Sequence, residues 1–305
     1  MTRLLAVLAM LLAGPAMAQP PAAPPPQGVG MENVIVTALK ERPEEALNNF
    51  IFAHAARSPL VGKISRWRLG ICPLTIGLPP KFNLYISQRI IRMAMLAGAP
   101  LDSSEPCRPN TLVLATDQPQ AVLDFLREKR PGMLGFHQKS QTVQISTMRR
   151  AVQAWYSTAT EDFDGFVEVD IPGMDITRKL PGAQGIDGAT RVSGNRAIGD
   201  GLKSQITTAV IIVDKRKFGG QTIGALSDYI AMLALSQATS YEKCLDVPTI
   251  TNLLATDCAA GMKPPGLTDI DATYLRGLYQ MDAGRSFIGE RASIAYAMKK
   301  ELGGY

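Results

Sequence analysis

Beyond the first eighteen residues, the most apolar helix pattern in the chain lies in residues 221–237. Apolar side chains occupy every side of a helix in this segment, and Asp228 is its one charged residue. A helix that is apolar all round is normally buried in a protein core. The pattern therefore predicts a buried central helix, and the β-branched run at 206–214, just before it, predicts a strand.

Further periodic runs predict an alternation of strands and helices. Strand patterns occupy residues 67–78, 111–116, 151–160 and 166–170, and helix patterns begin at 43, 82, 118, 268 and 287. In the helix predicted at 82–98, Leu84, Ile91 and Met95 fall on one side, with Ile90 and Ala94 beside them. The element order indicates an α+β protein with a mixed β-sheet around the buried central helix.

The first eighteen residues have the features of an export signal. Arg3 precedes an apolar run at 4–12, and the residues up to Ala18 match an A-x-A cleavage site. Residues 19–40 are rich in proline and are predicted to form an extended tether. Residues 41–305 are predicted to form a single α+β domain with a long loop insertion at about 171–204. We expect a periplasmic or secreted protein after cleavage near Ala18.

Charge and hydropathy narrow the choice of partners. The formal net charge is +5, and the densest basic run is Lys215-Arg216-Lys217. An exported chain without a larger basic stripe is not expected to bind nucleic acid. After the export signal no segment approaches the roughly 20 apolar residues of a transmembrane helix, so no transmembrane segment is expected. The expected partner is an envelope protein or a cell-surface component.

Four cysteines in an exported chain predict two disulfides. Three pairings are possible. We favour Cys72–Cys107 and Cys244–Cys258, because each pair lies within one local unit. The first would join two neighbouring strands, and the second would close a loop worth about 3 kcal/mol in the chain-entropy description.

The element order and the central helix resemble the zincin metallopeptidases of the metzincin type. The active helix of that family carries H-E-x-x-H-x-x-G-x-x-H, which places two histidines one turn apart with a glutamate beside the first. Laid on this sequence, the first histidine falls on Ser227 and the glutamate on Asp228. The second histidine falls on Ala231, the glycine on Ala234 and the third histidine on Gln237.

The chain as a whole resembles uncharacterised exported proteins of α-proteobacteria that share this degenerate core. All three ligand positions have lost histidine, so the resemblance implies a zincin-like fold without metal, cofactor or zinc-peptidase activity. The chain has two histidines, His54 and His137, which are too few for a histidine-rich site elsewhere. His54 lies at helical spacing from Leu47 and Phe50, which favours a structural role over that of a catalytic base.

These features favour a non-catalytic exported binding or scaffolding protein of the cell envelope. The alternative is a periplasmic hydrolase of unrecognised mechanism. Asp228 is expected to be paired, because an unpaired buried charge costs several kcal/mol. Arg276, or backbone amides of the loop after the central helix, are the expected partners, and a residual role for Asp228 as a general base is the alternative.

Overall fold

A computed structural model of the chain describes residues 43–58, 60–135, 139–162, 164–170, 201–218, 220–238 and 243–303. The predicted export signal, the predicted tether and His137 lie outside the described residues. The same is true of residues 171–200, which make up most of the predicted insertion.

Seven α-helices and six β-strands are found in the described residues. The helices are α1 (Pro43–His54), α2 (Pro80–Ala97), α3 (Pro119–Lys129), α4 (Lys139–Ile145), α5 (Ile223–Leu235), α6 (Asp269–Gln280) and α7 (Phe287–Glu301). The strands are β1 (Ser65–Trp67), β2 (Pro73–Ile76), β3 (Thr111–Thr116), β4 (Val152–Glu161), β5 (Val167–Val169) and β6 (Lys203–Asp214). The predicted α+β class is confirmed.

Strand β6 lies at the centre of a mixed sheet and is paired along both edges. The strand order is β2-β3-β6-β4-β5. Strands β2 and β3 run parallel to β6, whereas β4 is antiparallel to it. Strand β1 also pairs in parallel with β6, on the edge used by β3 but with the earlier residues Ser204 to Ile206. The β-branched run of β6 suits this position, because a central strand is covered on both faces.

Alternate residues of β6 face two hydrophobic clusters. Ala209, Ile211 and Val213 belong to a large cluster that contains the buried residues of α1, α2, α5, α6 and α7. Val210 and Ile212 belong to a smaller cluster with buried leucines of α3. The sheet therefore lies between two layers, with α3 on one face and α2 and α5 on the other.

Helix α5 is the buried central helix that the sequence predicts. Every residue from Ala225 to Leu235 is buried. The last four carbonyls of a helix have no partner within it, and here each receives a donor. The carbonyl of Met232 accepts from Ser236, and that of Leu233 accepts from the hydroxyl of Tyr156 at 2.7 Å.

The other two terminal carbonyls of α5 bind aromatic donors from β1 and α6. The indole N–H of Trp67 donates to the carbonyl of Ala234 at 2.7 Å, and the hydroxyl of Tyr279 donates to that of Leu235 at 2.8 Å. Burial raises the pKa of Tyr279, which keeps its hydroxyl a donor. The C-terminal end of α5 is thus closed by side chains from three different elements.

Arg66, on β1, closes the end of α6 in a similar way. Its guanidinium donates to the carbonyls of Leu278 and Tyr279 at 2.8 Å and to that of Met281 at 2.9 Å. Burial lowers the pKa of Arg66, with neighbouring Arg68 adding to the effect. Adjacent residues of one short strand therefore satisfy the carbonyl ends of two helices.

The prediction of one continuous strand at 67–78 was wrong, because this segment contains the end of β1 and the whole of β2. Strand β1 ends at Trp67 and β2 begins at Pro73, because the chain moves from the edge of β6 to the edge of β3 between them. Gly70 lies in this step, where a Cβ would come within 2.6 Å of the backbone of Asp102. Ile71 next to it forms an isolated parallel bridge with Leu101, so the strand pairing is interrupted here but not absent.

The predicted apolar side of α2 was partly right, because Ile90 and Ala94 are buried, whereas two residues of the row beside them are exposed. Leu84 and Met95 are 59% and 58% exposed. The buried residues are Ile86, Ile90, Met93, Ala94 and Ala97. Apolar residues occur on two sides of α2, and packing against α5 selects the side that carries small residues, which permit a close approach.

Both favoured disulfides are confirmed. Cys72–Cys107 joins Cα atoms 6.0 Å apart and links the segments that lead into the paired strands β2 and β3. Cys244–Cys258 joins Cα atoms 5.1 Å apart in the loop between α5 and α6. Disulfides form in oxidising compartments, so these bonds are compatible with a periplasmic or extracellular location. In the part of the chain that is described, no helix is long and apolar enough to cross a membrane.

The closed end of α5 makes a testable contribution to stability. Tyr156→Phe and Tyr279→Phe are each expected to lower the free energy of unfolding by about 1–3 kcal/mol, because each leaves a buried carbonyl without its donor. Tyr296→Phe, at a position 72% exposed on α7, serves as the control and should change it by less than about 0.5 kcal/mol. Urea denaturation with the disulfides intact measures these values. Equal effects in all three variants would contradict the interpretation.

Candidate functional site

Four of the five positions matched to the zincin motif lie inside the core. Ser227, Ala231 and Ala234 are 0% exposed, and Asp228 is 3% exposed. The hydroxyl of Ser227 donates to the carbonyl of Ile223, one turn earlier, at 2.6 Å. Small side chains at these positions let neighbouring elements pack closely against α5.

Gln237 follows α5 rather than lying on it. Its backbone carbonyl accepts a hydrogen bond from the amide of Ala56 at 2.9 Å, which ties this segment to the end of α1. Among the described residues, the side-chain oxygen of Gln237 is buried without a hydrogen-bond partner. Gln237 therefore connects α5 to α1 through its backbone.

Asp228 is engaged from two sides. The guanidinium of Arg89, on α2, donates to both carboxylate oxygens, the Nη2 contact being 2.9 Å. The backbone amide of Leu267 donates to Oδ2, also at 2.9 Å. This hydrogen bonding to Asp228 raises the pKa of Arg89. A Cβ at Gly266 would lie 3.0 Å from Oδ2, so the loop approaches the carboxylate closely.

The expected partners of Asp228 were half right. A backbone amide of the loop before α6 does bind it, but the charged partner is Arg89 and not Arg276. Arg276 instead forms an ion pair with Glu301 on α7. Asp228 accepts three hydrogen bonds within the core and is buried, which leaves it poorly placed to meet a substrate.

His54 is a buried structural residue on α1. Its Nδ1 lies 2.8 Å from the carbonyl of Phe50, which can only accept, so Nδ1 carries the proton. Its Nε2 lies 3.1 Å from the hydroxyl of Thr251. Burial lowers the pKa of His54 to about 4. The imidazole is therefore neutral at physiological pH and fixed by two hydrogen bonds.

The described residues contain no cluster of three His, Cys, Asp or Glu side chains that could hold a metal ion. Chemistry other than metal binding has to be sought where polar groups reach a cavity. Two cavities of this kind, formed by described residues, lie at the carboxyl end of β6.

The first cavity, of about 510 Å³, lies where the chain leaves neighbouring strands in opposite directions. After β2 the chain passes to α2 on one face of the sheet, and after β3 it passes to α3 on the other face. Crevices at such switch points are the usual ligand sites of open α/β sheets. We call this cavity the switch-point crevice; it is lined by Gly77, Ala115, Thr116, Asp117, Phe125 and Lys215, among others.

Gly77 forms the floor of the switch-point crevice and cannot carry a side chain. Its φ is +94°, in the region that favours glycine, and a Cβ would lie 1.9 Å from the carbonyl oxygen of Ala115. The rim holds an ion pair of Lys215 and Asp117 at 3.0 Å. The two charges at this rim therefore neutralise one another.

Residues Lys215–Lys217, which follow β6, form a turn that we call the basic turn. The second cavity lies on the α5 side of this turn. We call it the basic pocket; its volume is about 400 Å³, and its lining includes Arg149, Arg150, Val152, Lys217, Tyr229 and Leu254. Val152 pairs with Val213 near the end of β6, and Lys217 follows β6, so the pocket also lies at the carboxyl end of that strand. Among the described residues, no acidic side chain lines it.

Between the two cavities, Asp214 neutralises Arg216. The carboxylate of Asp214 accepts from the guanidinium of Arg216 at 3.0 Å through both oxygens and caps the turn by accepting from its backbone amide. This hydrogen bonding holds the pKa of Asp214 below its usual range. The basic turn therefore presents Lys215 to one cavity and Lys217 to the other, with Arg216 compensated.

Sequence reasoning identified the basic turn but not the cavities. Lys215, Arg216 and Lys217 are consecutive, whereas Arg149 and Arg150 lie in a segment that shows no regular pattern. Their approach to Lys217 depends on the antiparallel pairing of β4 with β6. A doublet of arginines directly before a predicted strand was the available signal.

The Arg89–Asp228 pair can be measured with a double-mutant cycle. Arg89→Met is expected to lower the free energy of unfolding by about 2–4 kcal/mol, because it leaves a nearly buried carboxylate with one backbone donor. Its effect should shrink to below about 1 kcal/mol in an Asp228→Asn background. Arg92→Met, at an exposed position of the same helix, is the matched control. Purely additive effects of the two substitutions would rule out the coupling.

His54 should make stability depend on pH. Its pKa is about 4 in the folded protein and 6.5 in the unfolded chain, so the unfolded chain takes up a proton that the folded protein does not. The free energy of unfolding should therefore fall as the pH drops from 6.5 to 4, by on the order of 3 kcal/mol. His54→Gln should lose this part of the dependence. Denaturation of both proteins from pH 4 to 7 tests it, and parallel curves would refute the assignment.

Comparison with known proteins adds no relative: no family model, no curated protein and no solved structure matches this chain. The function is therefore inferred from the geometry of α5 and of the two cavities.

Proposed function

We propose that the protein is a non-catalytic binding or scaffolding protein, exported to the cell envelope, with a zincin-like core whose metal ligands have been lost. The observation that carries the proposal is the burial and hydrogen bonding of the motif positions on α5. Its motif positions Ser227 and Ala231 are packed into the core, and Asp228 is held by Arg89 and Leu267. A general base needs to be within reach of a substrate proton, and the carboxylate of Asp228 is buried and accepts three hydrogen bonds from the protein itself.

The topology supports the zincin-like part of the proposal. Helix α5 follows β6, which pairs with an antiparallel strand on one side and with parallel strands on the other. The same connection of a mixed sheet to a buried helix underlies the resemblance seen in the sequence. The two disulfides support the exported location.

The carboxyl end of the sheet supports the binding role. Two cavities of about 510 and 400 Å³ lie side by side there, and each is of a size that accommodates small ligands or side chains of a partner. The lining of both contains charged and apolar groups but neither histidine nor cysteine. This end of the molecule is thus equipped for recognition.

Site-specific photo-crosslinking tests the proposal. A photoreactive phenylalanine analogue is placed at Phe125, on the switch-point crevice, or at Thr256, on the basic pocket, and the tagged protein is irradiated in intact cells. Both positions are exposed. We expect a discrete adduct with an envelope component from at least one of them. Tyr296, 72% exposed on α7, is the matched control and should give none.

Activity assays provide the opposing outcome. Hydrolysis of peptide, ester or glycan substrates that disappears in an Asp228→Asn variant with unchanged folding would refute a non-catalytic role. Adducts that are the same at Phe125, Thr256 and Tyr296 would refute binding at the carboxyl end of the sheet. Stoichiometric zinc in the purified protein would contradict the loss of the metal site.

A further inference from the structure

Positive charge at the carboxyl end of the sheet is compensated unevenly. Of the three residues in the basic turn, Lys215 pairs with Asp117 and Arg216 pairs with Asp214. Lys217 has no hydrogen bond or ion pair with an acid in the described part of the chain. Asp117 and Asp214 thus pair directly with the two other cations of the basic turn, and Asp214 acts on Lys217 only through space.

Arg149 extends this pattern to the other wall of the basic pocket. It is exposed and, among the described residues, forms no ion pair. Arg150 beside it is half-buried, so the pocket brings two guanidinium groups and the ammonium of Lys217 to one cavity without a lining carboxylate. Like charges in a shared cavity repel one another, and a bound anion would remove this repulsion.

Apart from Thr256, the other residues that line the basic pocket are apolar or aromatic. Tyr229 of α5 is 1% exposed, Val152 is 2% exposed, and the half-buried Leu254 belongs to the loop closed by the second disulfide. A pocket with cations on its walls and apolar groups below them favours a ligand that has both an anionic group and an apolar group. A volume of about 400 Å³ lies within the roughly 300–1,000 Å³ of small-molecule sites.

We propose that the basic pocket binds a small amphipathic anion, namely a phosphate monoester, sulfate ester or carboxylate attached to an aromatic or branched apolar group. The anionic group lies between Arg149, Arg150 and Lys217, and guanidinium groups suit it because they donate two parallel hydrogen bonds to such oxygens. The apolar group lies on Tyr229 and Leu254. This inference rests on the proposed binding function and specifies the ligand class of one of its two cavities.

Isothermal titration calorimetry on the purified, disulfide-bonded full chain tests the charge requirement. The probe is phenyl phosphate, compared with benzyl alcohol as a neutral analogue and with inorganic phosphate as an anion without an apolar group. We expect phenyl phosphate to bind with a Kd of about 0.1–1 mM at low salt, as its size allows. Benzyl alcohol should not bind measurably, and inorganic phosphate should bind at least about fivefold more weakly. Raising the salt to about 0.5 M should weaken binding, because exposed charges are screened.

Charge variants locate the site. Arg149→Gln and Lys217→Gln are each expected to weaken the binding of phenyl phosphate about threefold to tenfold, and the double variant more than either. Lys300→Gln, at an exposed position of α7, makes the same change in net charge away from the pocket and should leave the Kd unchanged. Leu254→Ala should reduce the preference for phenyl phosphate over inorganic phosphate. Thermal melting of each variant confirms that it folds.

Several results would overturn the inference. These are equal binding of benzyl alcohol and phenyl phosphate, equal loss of affinity in Lys300→Gln and Lys217→Gln, or no binding of phenyl phosphate at 10 mM by folded protein. The crosslinking experiment is independent of these results. A partner captured at Thr256 or Phe125 would therefore still support the proposed function if the basic pocket did not bind phenyl phosphate. Binding of phenyl phosphate without any adduct in cells would sustain the pocket and count against a role in the envelope.

Discussion

The fold depends on how the end of a fully buried helix satisfies its backbone. Water cannot reach the last turn of α5, so each of its four terminal carbonyls requires a donor from the protein. Apart from Ser236, the donors are Trp67, Tyr156 and Tyr279, which come from β1, β4 and α6. Hydrophobic burial alone is not directional, whereas these hydrogen bonds fix the position of α5 along and around its axis. The same short strand supplies Arg66 to the end of α6, so the sheet and the helical layer are joined through specific polar contacts.

This arrangement moves the polar chemistry of the molecule away from α5. The C-terminal end of the helix is saturated, and Asp228 in its middle is bound by Arg89 and Leu267. The carboxyl ends of the parallel strands remain, where the connections after β2 and β3 diverge to opposite faces and leave space between them. The basic turn after β6 projects into this region. It separates a cavity whose rim charges are paired from a cavity that, among the described residues, is lined by three cations and no carboxylate.

Features that depend on neighbouring residues could be predicted from the sequence, and those that depend on distant contacts could not. The capping box of Thr268 and Asp271 and the left-handed C-cap at Gly98 are local, and both are present. Overall apolarity was enough to identify α5. The face of α2 could not be predicted, because apolar residues lie on two sides and only the packing partner chooses between them. The pairing of Asp228 with Arg89 spans 139 residues, and no periodic pattern reports such a contact.

The proposed loss of metal ligands and the burial of α5 support each other physically. A zinc site needs the first, fifth and eleventh positions of the motif directed into a cavity with space for a water or substrate. Here Ser227 and Ala231 are small and fully buried, and Ala231 belongs to the main hydrophobic cluster. An imidazole at either position would overpack this core and would bring ring nitrogens without hydrogen-bond partners into it. Each effect lowers the free energy of unfolding by about 1 kcal/mol or more. Histidines could occupy these positions only if the elements around α5 moved apart, and that movement would also break the hydrogen bonds at the C-terminal end of α5. The small residues are therefore required by the packing, and the helix that would carry the catalytic groups of a zincin serves here as the core on which the other elements are assembled.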